Sequence, residues 1–509
     1  MTSTAIKPPL TERFLHHVER QGNRLPAPTL LFFYFCIGIL LVSAIAAAFG
    51  VRAELPGSGE AVVARNLLSG EGIRWMLTSA VNNFVTFAPV GTVLVAMLGL
   101  GIAEHSGLLR VALTRLVLAA PPGALTFIVV FSGMLSSLTA DAGYVVLIPL
   151  AGLLFSVAGR PPLAGIAASF GGVAAGYSAN LLLGPLDVVL AGLSAEAVQL
   201  VASDYTVDAA GNYYFMIVST LLLSIVGTWV TERWVTPWLS RQEGEDEQTE
   251  DELPNVTESE RRGLWAVLWV TLAFWGLMAL AVIPEWGVLR GSAESVLQSA
   301  FLQGIVVLIA LYAGIAGVVF GKISGHYQRA GEAVGGMEHA MGTMATYIVL
   351  MFFAAQFVNY FAWSQLGVIM AINGAEVLGK LSLPPALLLV LFVSLAGFLN
   401  LFVGSATAKW ALVGPVFVPM FYLLGISPEA TQMAYRIGDS VTNVITPLMP
   451  YFGVVVAFAQ RYRKNLGIGT LVAMMLPYSV AFWLVWSVLL ALWVSVGWPM
   501  GPGAPVLVP

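Results

Sequence analysis

Eleven apolar blocks, each 20 residues or longer, run through this chain near residues 28–49, 83–103, 122–157, 162–191, 212–237, 264–283, 301–320, 341–363, 383–424, 428–459 and 468–497. A helix rises about 1.5 Å per residue, so about 20 apolar residues cross a hydrocarbon core about 30 Å thick. Backbone polar groups at that depth find no water and must be satisfied within the protein. The blocks therefore predict an all-α polytopic membrane protein, and the 509 residues count spans rather than soluble domains. Composition agrees: 58% of the residues are apolar and 10% charged, against about 45–50% and 25% in soluble domains.

The net charge of -5 says little about partners, because nine acidic residues fall in the single stretch Glu243–Glu260. No basic face exists for nucleic acid. Cys36, the one cysteine, lies inside the first block without metal-ligand spacing and reads as a small buried apolar residue. Lys7, Arg13, Arg20 and Arg24 precede the block Pro28–Phe49. That charged region is too long, and the block too wide, for a removable signal, so the block is read as the first span.

Lys and Arg are uneven between blocks. They mark the N-terminal tail, the 238–262 linker (Arg241, Arg261, Arg262), the 321–340 loop (Lys322, Arg329) and Arg461, Arg463 and Lys464. The 193–211 loop and the C-terminal tail have none, and the 284–300 loop has only Arg290. The positive-inside rule makes the first set cytoplasmic and the second external. A cytoplasmic N-terminus with an external C-terminus requires an odd number of spans. Five parts follow: a cytoplasmic tail 1–27, a first membrane repeat 28–237, an acidic cytoplasmic linker 238–263, a second repeat 264–498 and an external tail 499–509. The linker reads as a disordered connector.

Blocks 122–157 and 383–424 are too long for one span, while 162–191 and 428–459 are interrupted by Gly, Pro, Asn and Asp. Such breaks survive at membrane depth where protein buries them or a watery cavity solvates them. They also correspond between halves. Pro121-Pro122 opens a run ending at Asp141, and Pro384-Pro385 opens one ending at Lys409-Trp410. Tyr177-Ser-Ala-Asn180 with Gly184-Pro185-Leu-Asp187 answers Asp439-Ser-Val-Thr-Asn443 with Thr446-Pro447-Leu. Matching interruptions in two halves are the mark of a transporter built on a repeat, with its site where the breaks meet.

An ionised group at the bilayer centre costs about 2.5–3.5 kcal/mol, so intramembrane charges are functional candidates. Arg436 and Asp439 stand three apart, share a helix face and are placed to pair. Ser440, Thr442, Asn443 and Pro447 follow at once, and Pro447 removes an amide hydrogen. Asp187 either caps the helix after Gly184-Pro185 or relays a proton. Asp141 is weaker, because Lys409 occupies the corresponding place in the other half. Trp410, mid-block between Thr407 and Pro415, is a candidate for stacking on a planar substrate. The five histidines have no metal spacing, and no nucleotide-binding or hydrolase motif occurs, which points away from an enzyme and leaves an ion gradient as the energy source.

At these residues the chain resembles the AbgT family, the p-aminobenzoyl-glutamate transporters also linked to sulfonamide efflux. The likeness rests on Asn83-Phe-Val-Thr-Phe-Ala-Pro-Val-Gly, Gly101-Ile-Ala-Glu-His-Ser-Gly107, Tyr177-Ser-Ala-Asn-Leu-Leu-Leu-Gly-Pro-Leu-Asp187 and Tyr435-Arg-Ile-Gly-Asp-Ser-Val-Thr-Asn443. It implies a bowl-shaped homodimer in the bacterial inner membrane, each protomer having nine spans and two re-entrant hairpins. It also implies functional roles for Asp187, Thr407, Trp410, Pro428, Arg436, Asp439 and Pro447, with Thr407 standing where the family has serine.

The expectation is a secondary transporter, without cofactor, that couples protons to p-aminobenzoyl-glutamate-like compounds and exports sulfonamide antimetabolites. Trp410, Arg436, Thr407, Pro428 and Pro447 would bind substrate, and Asp187 and Asp439 would carry the proton. Asn180, Asn400, Ser440 and Asn443 form a polar shell for substrate or for Na⁺. A Na⁺-coupled importer of aromatic or dicarboxylate anions, or a channel, remains the alternative.

Overall fold

The computed structural model describes residues 28–54, 61–138, 143–241, 256–290, 299–329, 331–447, 449, 451–464 and 466–508. Asp141 and most of the acidic linker lie outside these residues. In the first half, helix α1 (Pro28–Ala48) leads through a two-stranded ribbon, β1 (Arg52–Glu54) and β2 (Ala61–Val63), to α2 (Gly70–Val85) and α3 (Ala88–His105). Then come α4 (Leu108–Leu118), α5 (Leu125–Leu135), α6 (Ile148–Val157), α7 (Pro162–Phe170), α8 (Pro185–Val198), α9 (Tyr213–Val230) and α10 (Thr236–Arg241). Single π turns extend α7 through Gly171–Ala175 and join α9 to α10 through Thr231–Val235.

The second half comprises α11 (Glu258–Val282), α12 (Ala300–Gln303), α13 (Ile305–Ser324), α14 (Gly331–Thr343), α15 (Ala345–Trp363) and α16 (Leu366–Lys380). It closes with α17 (Pro385–Asn400), α18 (Ala406–Tyr422), α19 (Pro428–Thr442), α20 (Phe452–Gln460) and α21 (Ile468–Val496). Among the described residues, seven helical stretches are long and apolar enough to cross a bilayer. The pairs α4/α5 and α16/α17 qualify only jointly, bent by 113° and 119°. Counting each pair once gives nine, the number the family resemblance implies, and either count is odd, as the loop charges require.

The bends fall at Pro121-Pro122 and Pro384-Pro385, where proline fixes the backbone and withholds an amide hydrogen. After each bend the same architecture repeats. Helices α6 and α7 form a hairpin, as do α18 and α19. The arm following each bend (α5, α17) packs on the second arm of its hairpin and on the last long helix of its half (α9, α21). A 263-residue interval relates both Pro122 to Pro385 and Asn180 to Asn443.

Close backbone approach repeats too. A Cβ on Gly172 would lie 2.3 Å from the Val130 carbonyl oxygen, and one on Gly438 would lie 2.2 Å from that of Val393. Only glycine permits these crossings.

The two hairpins point to opposite ends of the molecule. At the turn after α6, Arg160 Nη2 meets Glu232 Oε1 at 2.6 Å, beside the α9–α10 junction. The turn before α19 lies at the other end of α9. There the Ser427 amide donates to Val506 O at 3.0 Å, and the Phe215 amide to Met500 O at 3.1 Å. The repeat is therefore inverted. Around it, α1 packs on α15, while α11 and α3 both pack on α13. The apolar window of α11 is only 6% buried, so most of that apolar surface is uncovered by the rest of the chain.

Candidate functional site

Helix α19, Pro-Glu-Ala-Thr-Gln-Met-Ala-Tyr-Arg-Ile-Gly-Asp-Ser-Val-Thr, is markedly polar, yet every residue from Pro428 to Val441 is buried. Polar groups without water require protein partners, and α19 finds them at both interruptions. Arg436 Nη2 stands 2.7 Å from Asp187 Oδ1 and 3.5 Å from the Ser178 carbonyl oxygen, in the first-half break. The Ser178 amide donates to Ser440 Oγ at 3.2 Å. Asn443 Nδ2 reaches Ala174 O at 3.4 Å. The two breaks thus meet through residues 249 to 269 positions apart in sequence.

Asp187 makes the helix cap weighed for it and an ion pair besides. Oδ2 accepts the Gly184 amide at 2.6 Å, the reciprocal arm of an N-terminal cap on α8, while Oδ1 faces Arg436. Asp439 does not pair with Arg436, contrary to the expectation from their spacing. Its Oδ1 lies 2.5 Å from Lys409 Nζ, and both side chains are 2% exposed. Spacing along a helix says which residues share a face; nearer partners on α8 and α18 claimed both charges.

Lys409 also donates to Asn400 Oδ1. Asn400 Nδ2 in turn faces Asp439 O at 2.7 Å, Asn443 Oδ1 at 2.8 Å and Thr442 Oγ1 at 2.9 Å. In the first half, Asn180 Nδ2 donates to Ser137 Oγ at 2.8 Å, and Asn180 Oδ1 accepts the Leu182 amide at 3.1 Å.

Trp410 lies one layer away and is completely buried. Its ring stacks on Tyr435 with centroids 4.6 Å apart, and Nε1 donates to Ser194 Oγ at 3.0 Å. That leaves no face for a substrate ring in this conformation. Pro428 opens α19 at the hairpin turn, Thr407 is half-buried in the first turn of α18, and Pro447 lies in the second break.

Ser137, Tyr177, Asn180, Gly184, Leu186, Asp187 and Arg436 enclose a cavity of about 10 Å³, the room of a single water. Arg436 Nε and Ser178 Oγ are buried without a hydrogen-bond partner. Arg436 lines the void, so its unspent Nε donor is one that a ligand there could use.

The chain matches the sequence profile of the AbgT putative transporter family over residues 13–508. It belongs to the AbgT family. The p-aminobenzoyl-glutamate transport protein of Escherichia coli (strain K12) is 37% identical over 487 residues, covering 96% of this chain and 95% of that protein. The Alcanivorax borkumensis YdaH transporter, whose crystal structure was described as an unusual topology, is 51% identical with a TM-score of 0.90. The match covers 94% of this AbgT chain and all of YdaH. Neisseria gonorrhoeae MtrF, described as illuminating a class of antimetabolite efflux pumps, is 43% identical with a TM-score of 0.91, over 97% of this chain and all of MtrF. This AbgT protein is therefore a membrane transporter and not an enzyme.

Sequence reasoning singled out Asp187, Arg436 and Asp439 but missed Lys409 as a member of the cluster. Its signal was present, since a lysine deep in an apolar block is itself a functional candidate. Tyr177, Tyr435 and Ser194 carried no such signal; a tyrosine or serine in an apolar block is unremarkable until its neighbours are known.

Proposed function

We propose that this AbgT protein is a proton-coupled secondary transporter of p-aminobenzoyl-glutamate-like compounds that exports sulfonamide antimetabolites. The observation that carries the proposal is the buried Asp187–Arg436 pair joining the two breaks beside a water-sized void. A sulfonamide presents acceptor oxygens next to an N–H, and the glutamyl amide of p-aminobenzoyl-glutamate presents an N–H next to a carboxylate. Either group can be inserted into the ion pair, with its oxygens on Arg436 and its N–H on Asp187. Arginine suits this task because its planar fork binds paired oxygens.

A proton and a substrate N–H then compete for one carboxylate. Mutual exclusion is the condition for antiport, and an inward proton gradient would drive substrate out. Asp439, held by Lys409, would serve as the second relay. The working unit is proposed to be a homodimer in the bacterial inner membrane, with the N-terminus cytoplasmic and the C-terminus external.

Direct binding of p-aminobenzoyl-glutamate and a sulfonamide at a series of pH values tests this reading. One competing proton weakens binding about ten-fold per pH unit once Asp187 is protonated. Asp187→Asn is expected to remove that dependence. Affinity that rises on acidification would mean proton and substrate load together, and export by exchange would be excluded.

A further inference from the structure

Asp439, Asn400, Thr442 and Asn443 bring together carboxylate, amide, hydroxyl and main-chain oxygens at the end of a broken helix. Oxygen sets of this kind, at the ends of interrupted helices, hold the alkali cation in many gradient-driven carriers. From the sequence, Na⁺ is one open choice of coupling ion. In the folded chain, however, a cation from the protein itself stands in that set. Lys409 Nζ is 2.5 Å from Asp439 Oδ1 and donates to Asn400 Oδ1.

The amide of Asn400 is not free to turn. Its nitrogen faces three acceptors, Asp439 O, Thr442 Oγ1 and Asn443 Oδ1, so its oxygen is the atom left for Lys409. Charge is balanced as well. Asp187 is paired with Arg436 and Asp439 with Lys409, all four side chains at most 5% exposed. A further monovalent cation would enter as uncompensated charge in a poorly solvated interior. Among the described residues, the phenols of Tyr144, Tyr177 and Tyr435 also lie within electrostatic reach of Asp439, and none of them is a carboxylate.

We propose that the Lys409 ammonium is the tethered occupant of an alkali-cation site, so that this carrier binds no Na⁺ there and works without it. This inference rests on the proton-coupled reading above and supplies its reason: the place of a second coupling ion is taken by the chain. Removing the lysine should then expose a working Na⁺ site, because Asp439 and the oriented Asn400 remain.

The test is thermal unfolding of the purified full-length protein in NaCl or in choline chloride at equal ionic strength, with radiolabelled Na⁺ binding alongside. Wild type is expected to have the same Tm in both salts and to bind no Na⁺ saturably. Lys409→Ala should unfold at lower temperature in choline and recover with the logarithm of Na⁺ concentration, as a ligand of the folded state does. Lys409→Ala/Asp439→Asn, which removes both charges, should be indifferent to Na⁺.

Saturable Na⁺ binding by wild type would overturn the proposal, as would a folded Lys409→Ala blind to Na⁺. Should Lys409→Ala fold in neither salt, the wild-type binding measurement decides alone: its absence upholds the proposal and its presence refutes it. None of these readouts uses substrate or a gradient, so they stand or fall apart from the coupling mechanism.

Discussion

Arg436 is the residue on which most of the site depends. Its guanidinium meets α8 through Asp187 and the first-half break through Ser178, with almost no solvent contact. Losing one partner of a buried pair leaves an uncompensated charge, costing about 3–5 kcal/mol. Asp187→Leu is therefore expected to lower stability by that order, and Asp187→Leu/Arg436→Met to regain most of it while remaining inactive in transport. Equal Tm values for the single and double variants would show that the charges do not interact. Trp410 makes a different kind of claim. Trp410→Ala is expected to cost about 3–5 kcal/mol in the absence of substrate, as removal of a buried ring does. A normal Tm with selective loss of aromatic substrates would instead put the indole in the transport path. The deep charges and the break prolines could be read from the chain because each is costly where it stands. Their partners could not, because Asp187 and Arg436 are brought together by tertiary packing that no local spacing encodes.

At the scale of elements, paired glycines set how closely the arms cross. Gly438→Ala places a methyl 2.2 Å from a carbonyl oxygen on α17, whereas Gly453→Ala in α20 meets nothing within 4 Å. The first is expected to lower Tm sharply; the second should leave it unchanged or raise it through helix propensity, worth about 1 kcal/mol. Similar effects from both would contradict the crossing geometry. The 199–212 loop bears on the α18–α19 hairpin turn, with Tyr205 Oη donating to Glu429 Oε2 at 2.9 Å. In that loop, burial raises the Asp208 carboxyl above its ordinary 3.8, partly opposed by the Ala210 amide. A carboxyl raised by folding stabilises most below its unfolded value, and that contribution is lost as pH rises through the folded one. Asp208→Asn is therefore expected to flatten the stability profile above pH 3.8, measured by Tm against pH. A steeper profile would refute the assignment. The broken blocks were legible as broken, but not which became hairpins. Block length and Gly/Pro content are the same for a kink, a bend of 113° and a full reversal; the glycine crossings and neighbouring helices decide among them.

At the scale of the molecule, inversion of the repeat places the two hairpin turns at opposite ends, and the charge bias of the loops leads to the expectation that those ends face the two sides of the membrane. Cys36 is buried, so the native thiol gives a quiet background for labelling. Ala158→Cys and Asp204→Cys, both at exposed positions, are expected to react with an impermeant maleimide from opposite sides; labelling from one side would break the inverted topology. That symmetry brings an aspartate from one half against an arginine from the other, and at this pair a proton is proposed to exchange for substrate. The direct measurement is lumenal pH in proteoliposomes loaded with p-aminobenzoyl-glutamate and diluted into substrate-free medium. Outward substrate flux is expected to acidify the lumen in wild type, and Asp187→Asn to abolish acidification while keeping substrate counterflow. Substrate leaving without proton entry, or acidification undiminished in Asp187→Asn, would contradict it.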